Sequence, residues 1–181
     1  MVLLFGPPGA GKSVQGQLLA AAHRWRWLSV GQILRDLKDP ALLKRMQTGD
    51  LVDDSIVYEA LTQTFKQSGI ETRLILDGFP RTQAQAAWLL KHLPHHGRSI
   101  KAAIVLLVPH EEITARLKLR ARSDDSDEII HKRTTEYYEQ IPPILDFLQQ
   151  SDIPVLKING VGDVKDIHKD IEEQLDHVHH L

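Results

Sequence analysis

Cysteine is absent from all 181 residues. Its absence excludes disulfides, thiolate zinc sites and a cysteine nucleophile together, and it fits a reducing compartment. No apolar run approaches the ~18 residues that span a bilayer. Neither sign of charge dominates: 22 Lys and Arg stand against 24 Asp and Glu, a formal net charge of -2. A chain without a basic field is not built for general nucleic-acid binding. Internal repeats, low-complexity tracts and flexible linkers are missing too. The first strand pattern begins at Met1, so no signal peptide is expected. The expectation is a cytoplasmic protein with neither a membrane nor a nucleic acid as partner. A hydrophobic content of 42% supports a real core. The length suits a single α/β domain.

What is present starts at the N-terminus. Val2 to Phe5 is an apolar run of strand length, and Gly6 then opens G-x-x-x-x-G-K-S, completed by Gly11, Lys12 and Ser13. Glycines let successive backbone N–H groups turn inward around phosphate oxygens. The helix that follows aims its positive end at the same point. Lys12 can reach β- and γ-phosphates, and Ser13 offers a hydroxyl near Mg²⁺. A strand-to-helix turn that binds nothing is the plainer alternative, but motif and context agree against it.

Strands are expected over 25–28, 73–77, 102–108 and 154–158, with helices between them. Ser29 to Gly31 reads as a turn with a possible N-cap. Asp53-Asp54-Ser55 reads as the cap of a longer helix. Another long helix, about 129–149, is expected to break near Pro142-Pro143. Strands alternating with helices predict a five-stranded parallel sheet with helices on both faces, a three-layer P-loop sandwich. Short helices from about 29 to 60 are expected to form a small flap on that sheet. The remaining segments, 1–28, 61–119 and 127–181, make the core.

Ligands of such sheets sit at the carboxyl ends of the strands. Asp77 ends an apolar strand there and fits a role in holding Mg²⁺ and its waters. Arg35, Arg81, Arg116, Arg120, Arg122 and Arg133 fall on or near the same edge. One such arginine is usually a solvated surface residue. Six on matching segments fit phosphoryl transfer, which needs permanent planar cations on both sides of the moving group.

These motifs resemble the adenylate kinase family of nucleoside monophosphate kinases along nearly the whole chain. Gly6-Pro-Pro-Gly-Ala-Gly-Lys12 resembles the family P-loop. Leu28-Ser-Val-Gly-Gln-Ile-Leu-Arg35 resembles its L-S-T-G-D-L-L-R, and Gly49-Asp-Leu-Val52 its G-x-L-V. Asp77-Gly-Phe-Pro-Arg-Thr82 is the most specific match, and Gln85 follows at the family's base-reading glutamine. Arg116 and Arg120, Arg122-Ser-Asp-Asp125, Lys132-Arg133, Tyr138 with Pro143, and Asn159-Gly-Val-Gly162 complete the resemblance.

The resemblance implies reversible transfer between Mg-ATP and a monophosphate, with AMP the expected acceptor. It assigns Gly9, Ala10, Gly11, Lys12, Ser13, Val14, Arg116, Arg120 and Gly162 to ATP. It assigns Val30, Arg35, Asp50, Leu51, Val52, Gly78, Phe79, Pro80, Arg81, Gln85, Arg122 and Arg133 to AMP. Lys12, Arg81, Arg120, Arg122 and Arg133 carry the catalysis, and Ser13 and Asp77 serve Mg²⁺ through water. The resemblance also makes about 120–126 a minimal lid, zinc is not expected, and the protein is expected to be a monomer.

The chain departs from the family pattern at three places. Ser13-Val14 replaces Gly-Thr after the P-loop lysine, Val30 and Gln32 replace a threonine and an acid, and only Ala121 separates Arg120 from Arg122. Two other readings therefore stand beside the first. One is a kinase for another base or another small acceptor. The other is a binding module that senses ATP and AMP with little turnover. The histidines at 92, 95, 96, 177, 179 and 180 read as solvated loop or tail residues rather than metal ligands. Trp25, Trp27 and Trp88 read as packing residues.

Overall fold

The computed structural model describes residues 1–120 and 126–179. Strands β1 (Val2–Phe5), β2 (Arg26–Ser29), β3 (Leu74–Asp77), β4 (Ala102–Leu107) and β5 (Val155–Asn159) form one sheet. Every pairing is parallel, in the order β2-β3-β1-β4-β5. The helices are α1 (Lys12–His23), α2 (Val30–Asp36), α3 (Pro40–Gln47), α4 (Asp54–Gln67), α5 (Gln83–His92), α6 (His110–Arg120), α7 (Asp127–Gln150) and α8 (Val164–His179). The expected parallel sheet with helices on both faces is found.

Alternate residues of each central strand enter opposite cores. Leu3, Phe5, Leu76 and Val105 pack with Leu61 of α4, Leu89 of α5, and Ile144 and Leu148 of α7. Leu4, Ile75, Ile104 and Leu106 pack with Leu19 of α1, Ile113 and Leu117 of α6, and Ile171 of α8. Burial on both faces is why these strands are unbroken apolar runs rather than alternations. β1 lies at the centre, with Leu3 level with Leu76 on one side and Ala103 on the other.

Several local expectations change. α7 runs unbroken from Asp127 to Gln150 with Pro142 and Pro143 inside it. Two prolines leave two carbonyls of the preceding turn without N–H partners. Burial of Ile144, directly after the prolines, and of Leu148, about one turn further on, holds the helix on its course through that loss. Ser29 does cap a helix, its Oγ accepting from Gln32 N, but there is no turn after it. Val30 and Gly31 are already helical. Asp53 is the N-cap of α4, yet its side chain makes no capping bond. It pairs with Arg45 at 3.2 Å instead. Trp25 falls outside β2 and stacks on His23 at 4.5 Å. α4 continues to Gln67, past the expected end of the helical flap.

Candidate active site

The loop between β1 and α1 carries its shape in two glycines. Gly11 caps α1 at φ 92°. Gly9 has φ 82°, and a Cβ there would lie 2.9 Å from Leu117 Cγ. A side chain at either position meets strain, at Gly9 a collision as well. Lys12 is the first residue of α1, and its Nζ donates to the carbonyls of Gly6 at 2.7 Å and Pro7 at 3.0 Å. The ammonium is thus held over the loop.

β3 brings the acid. Leu4 of β1 is level with Asp77 of β3, so the P-loop leaves the sheet beside that carboxylate. Ser13 Oγ donates to Asp77 Oδ2 at 2.9 Å. A hydroxyl and a buried carboxylate are hard oxygen donors of the kind Mg²⁺ takes directly or through water. Among the described residues, no three His, Asp or Glu side chains converge as a metal-ligand set. These two oxygens therefore suit an ion that phosphates and water mostly coordinate.

A cleft of about 560 Å³ opens at this edge of the sheet. Lys12, Ser13 and Asp77 form one end, with Val30 and Arg35 from α2. Asp50, Leu51 and Val52 form the wall between α3 and α4. Gly78, Phe79, Arg81 and Gln85 come from the segment after β3, and Arg133 from α7. Pro80, after a cis peptide bond to Phe79, lines an adjoining cavity of about 330 Å³ with Phe5, Tyr137 and Ile141. Burial raises the Tyr137 phenol above its ordinary range, with Tyr138 adding to the shift.

Arginine chemistry is set by neighbours. Arg81 Nε donates to the Gly78 carbonyl at 3.1 Å. It reaches solvent through the cleft, yet protein crowds its guanidinium. That desolvation, then the charge of Arg133, draws its pKa below the ordinary value, while Glu136 and Asp77 act the other way. Arg35 donates through Nε and Nη2 to Gln32 Oε1, so Gln32 orients it. Arg133 Nη2 donates to the Met46 carbonyl at 2.8 Å, and Lys132 pairs with Asp50 at 2.5 Å. Lys132, with Thr48 in second place, holds the Asp50 carboxyl below its usual range.

Among the described residues, the other expected ATP residues, Gly9, Ala10, Gly11, Val14, Arg116 and Gly162, do not line this cleft. Arg116 of α6 donates to Glu112 at 2.8 Å and to the Gly160 carbonyl at 3.0 Å. It ties α6 to the loop of Gly162. Gln15 Nε2 donates to the Val164 carbonyl and ties α1 to the same region. Val14 is 47% exposed on α1, and Val30 only 4%. Arg122, with Asp124 and Asp125, lies outside the described residues, as does the side chain of Arg120. The sequence marks Asp54 only as part of a helix cap, yet its carboxylate accepts from Gln85 Nε2 at 2.6 Å across 31 residues. Glu136, beside Arg81 and Arg133, carries no motif; only the helical spacing from Arg133 hints at it.

Comparison with known proteins gives one consistent result. The profile described as adenylate kinase matches residues 4–153. An adenylate kinase of Maricaulis maris is 36% identical over 97% of this chain and 98% of its own length. One of Prochlorococcus marinus is 37% identical over 96% of each chain. One of Thermus thermophilus is 33% identical over 96% of each.

Proposed function

The chain belongs to the adenylate kinase family and transfers a phosphoryl group from ATP to AMP, giving two ADP; we propose that the cleft between the P-loop and α7 is where it does so. The observation that carries this reading is the meeting of Lys12, Arg35, Arg81 and Arg133 with the Ser13–Asp77 pair around one cavity.

The attacking group is a phosphate oxygen of AMP, anionic near neutral pH, so the chain needs no general base. Its task is positioning, charge neutralisation and exclusion of water. Lys12 exchanges its carbonyl partners for the donor phosphates and follows the group in flight. Arg35 and Arg81 hold the acceptor phosphate. Arg120, Arg122 and Arg133 surround the transferring group, with Arg122 and Arg133 also meeting AMP. Leu51, Val52, Val30 and Phe79 wall the acceptor base, and Gln85 reads its edge. The P-loop backbone from Gly9 to Val14, with Arg116 and Gly162, receives ATP. Mg²⁺ comes with ATP in this family; Ser13 and Asp77 would hold its waters, and the ion would offset the charge of the phosphates. A thiolate zinc site has no part in this reading, because the chain has no cysteine.

All the groups named come from one chain, so a monomer suffices. No helix among the described residues is long and apolar enough to cross a membrane.

The test is ADP formation from Mg-ATP with AMP, GMP, CMP and UMP, in the parent and in Lys12→Ala and Arg133→Ala. Turnover with AMP that either change reduces at least 100-fold supports the assignment. Turnover that survives both would move the chemistry away from this cleft.

A further inference from the structure

The amide of Gln85 is held on two sides before any nucleotide arrives. The backbone N–H of Arg81 donates to its Oε1 at 2.7 Å. Its Nε2 donates to Asp54 Oδ1 at 2.6 Å. The other carboxylate oxygen, Oδ2, accepts from the Tyr58 hydroxyl at 3.2 Å. Tyr58 is itself fixed, its ring stacked on Trp88 at 4.1 Å and 3°. Gln85 is only 3% exposed, yet it lines the cleft.

A glutamine amide can turn over and exchange its oxygen for its nitrogen, and its neighbours decide which way it faces. Both neighbours here accept one orientation only. A backbone N–H can only donate, and an ionised carboxylate can only accept. Turning the amide over would set N–H against N–H and oxygen against oxygen in a buried place, losing two hydrogen bonds. The charged partner makes the stronger of the two.

We propose that Asp54 is a specificity-determining positioning residue: it fixes the polarity of the Gln85 amide, so that the cleft accepts a 6-amino purine and rejects a 6-oxo purine. The proposal rests on the reading that Gln85 meets the acceptor base. After its two protein bonds the amide keeps one lone pair on Oε1 and one N–H on Nε2. Adenine presents an amino donor beside the N1 acceptor, which matches oxygen beside N–H. A 6-oxo purine presents a carbonyl beside N1–H, the reverse order. In the same seat it sets like groups against like. A glutamine free to turn over would receive both bases. Val30 cannot share the task, since its side chain has no polar atom. Gln85 carries the discrimination in this reading, and its direction is set by Asp54 together with the Arg81 N–H.

The test compares kcat/KM for AMP and for inosine monophosphate, which differ only at the 6-position and N1. The proteins are the parent, Asp54→Asn, Gln85→Leu and the double variant. Asn at 54 can donate as well as accept, so it no longer opposes the turned amide, and only the Arg81 N–H still does. Asp54→Asn should lower the AMP preference about tenfold, the worth of one hydrogen bond, by weakening AMP and improving inosine monophosphate. The shift should appear in KM more than in kcat. Gln85→Leu should lower the preference at least as far, and adding Asp54→Asn to it should change nothing more. Asp54→Ser, smaller and likewise able to give and accept, should move the ratio the same way.

A preference unchanged in both Asp54 variants but lowered in Gln85→Leu overturns the proposal and leaves the reading of Gln85 standing. A preference unchanged in Gln85→Leu overturns the reading of Gln85 and the proposal with it. Equal losses for both nucleotides in the Asp54 variants would mark a merely structural role, and overturn it too.

Discussion

Arg81 is exposed at the cleft, yet protein crowds its guanidinium and Arg133 lies near it, and both draw its pKa below the ordinary value. A group kept charged in such a place contributes to ligand binding at the expense of the empty protein's stability. Arg81→Gln should therefore lower kcat/KM for AMP at least about 100-fold. The same variant should melt at the parent temperature or above it. A clear fall in melting temperature would show that Asp77 and Glu136 stabilise the guanidinium more than burial opposes it. The Ser13–Asp77 contact makes a separate prediction. Ser13→Ala leaves the carboxylate in place but removes the hydroxyl donated to it. The Mg²⁺ concentration for half-maximal rate should rise several-fold, with the KM for AMP unchanged. A Mg²⁺ dependence equal to the parent's would remove Ser13 from the metal's surroundings.

α7 joins the core to the wall of the cleft. Its Arg133 donates to the Met46 carbonyl at the end of α3, and its Lys132 pairs with Asp50 just beyond. Both members of that ion pair are partly solvated, 41% and 47% exposed, so the contact is a weak latch. Asp50→Asn should raise KM for AMP and kcat together, each by no more than about fivefold, because a looser wall opens more often. A raised KM with an unchanged kcat would place Asp50 in acceptor binding alone. The strands and most helices of this framework are legible in the sequence because burial on both faces leaves unbroken apolar runs such as Leu74 to Leu76. The P-loop is legible because Gly9 and Gly11 are required by backbone geometry. The unbroken course of α7 through Pro142 and Pro143 is not legible, because Ile144 and Leu148 decide it through contacts with distant elements. Asp54 is hidden for the same reason. One aspartate of an adjacent pair suffices to start α4, and only the fold shows that the second faces Gln85.

The two ends of α4 have different work to do. Asp54 begins it at the cleft, and its last turn lies ~20 Å away by helix rise. There Arg98 donates to the carbonyls of Ser68, Gly69 and Thr72 and fastens the far end to the core. His96 closes this end, in the 3-10 turn Leu93–His96, with its ring 5.7 Å from that of buried Phe65. Burial, then Lys66, His95, Arg98 and His92, hold its pKa below the ordinary 6.5. Above 6.5 the ring is neutral in folded and unfolded chains alike, and its packing counts in full. As pH falls below 6.5 the unfolded chain takes up the proton first, so acidification removes stability until pH passes the lowered folded value. His96→Gln cannot titrate there. Urea unfolding of both proteins at pH 8, 7, 6 and 5 should show the parent more stable at pH 8, with its advantage shrinking from pH 7 to pH 5. The KM for AMP should be the same in both proteins at pH 8, because the anchored end of α4 stands apart from the cleft. An advantage that stays constant with pH would mean that His96 protonates as readily in the folded protein as in the unfolded chain. A changed KM would mean that the far end of α4 communicates with its first turn.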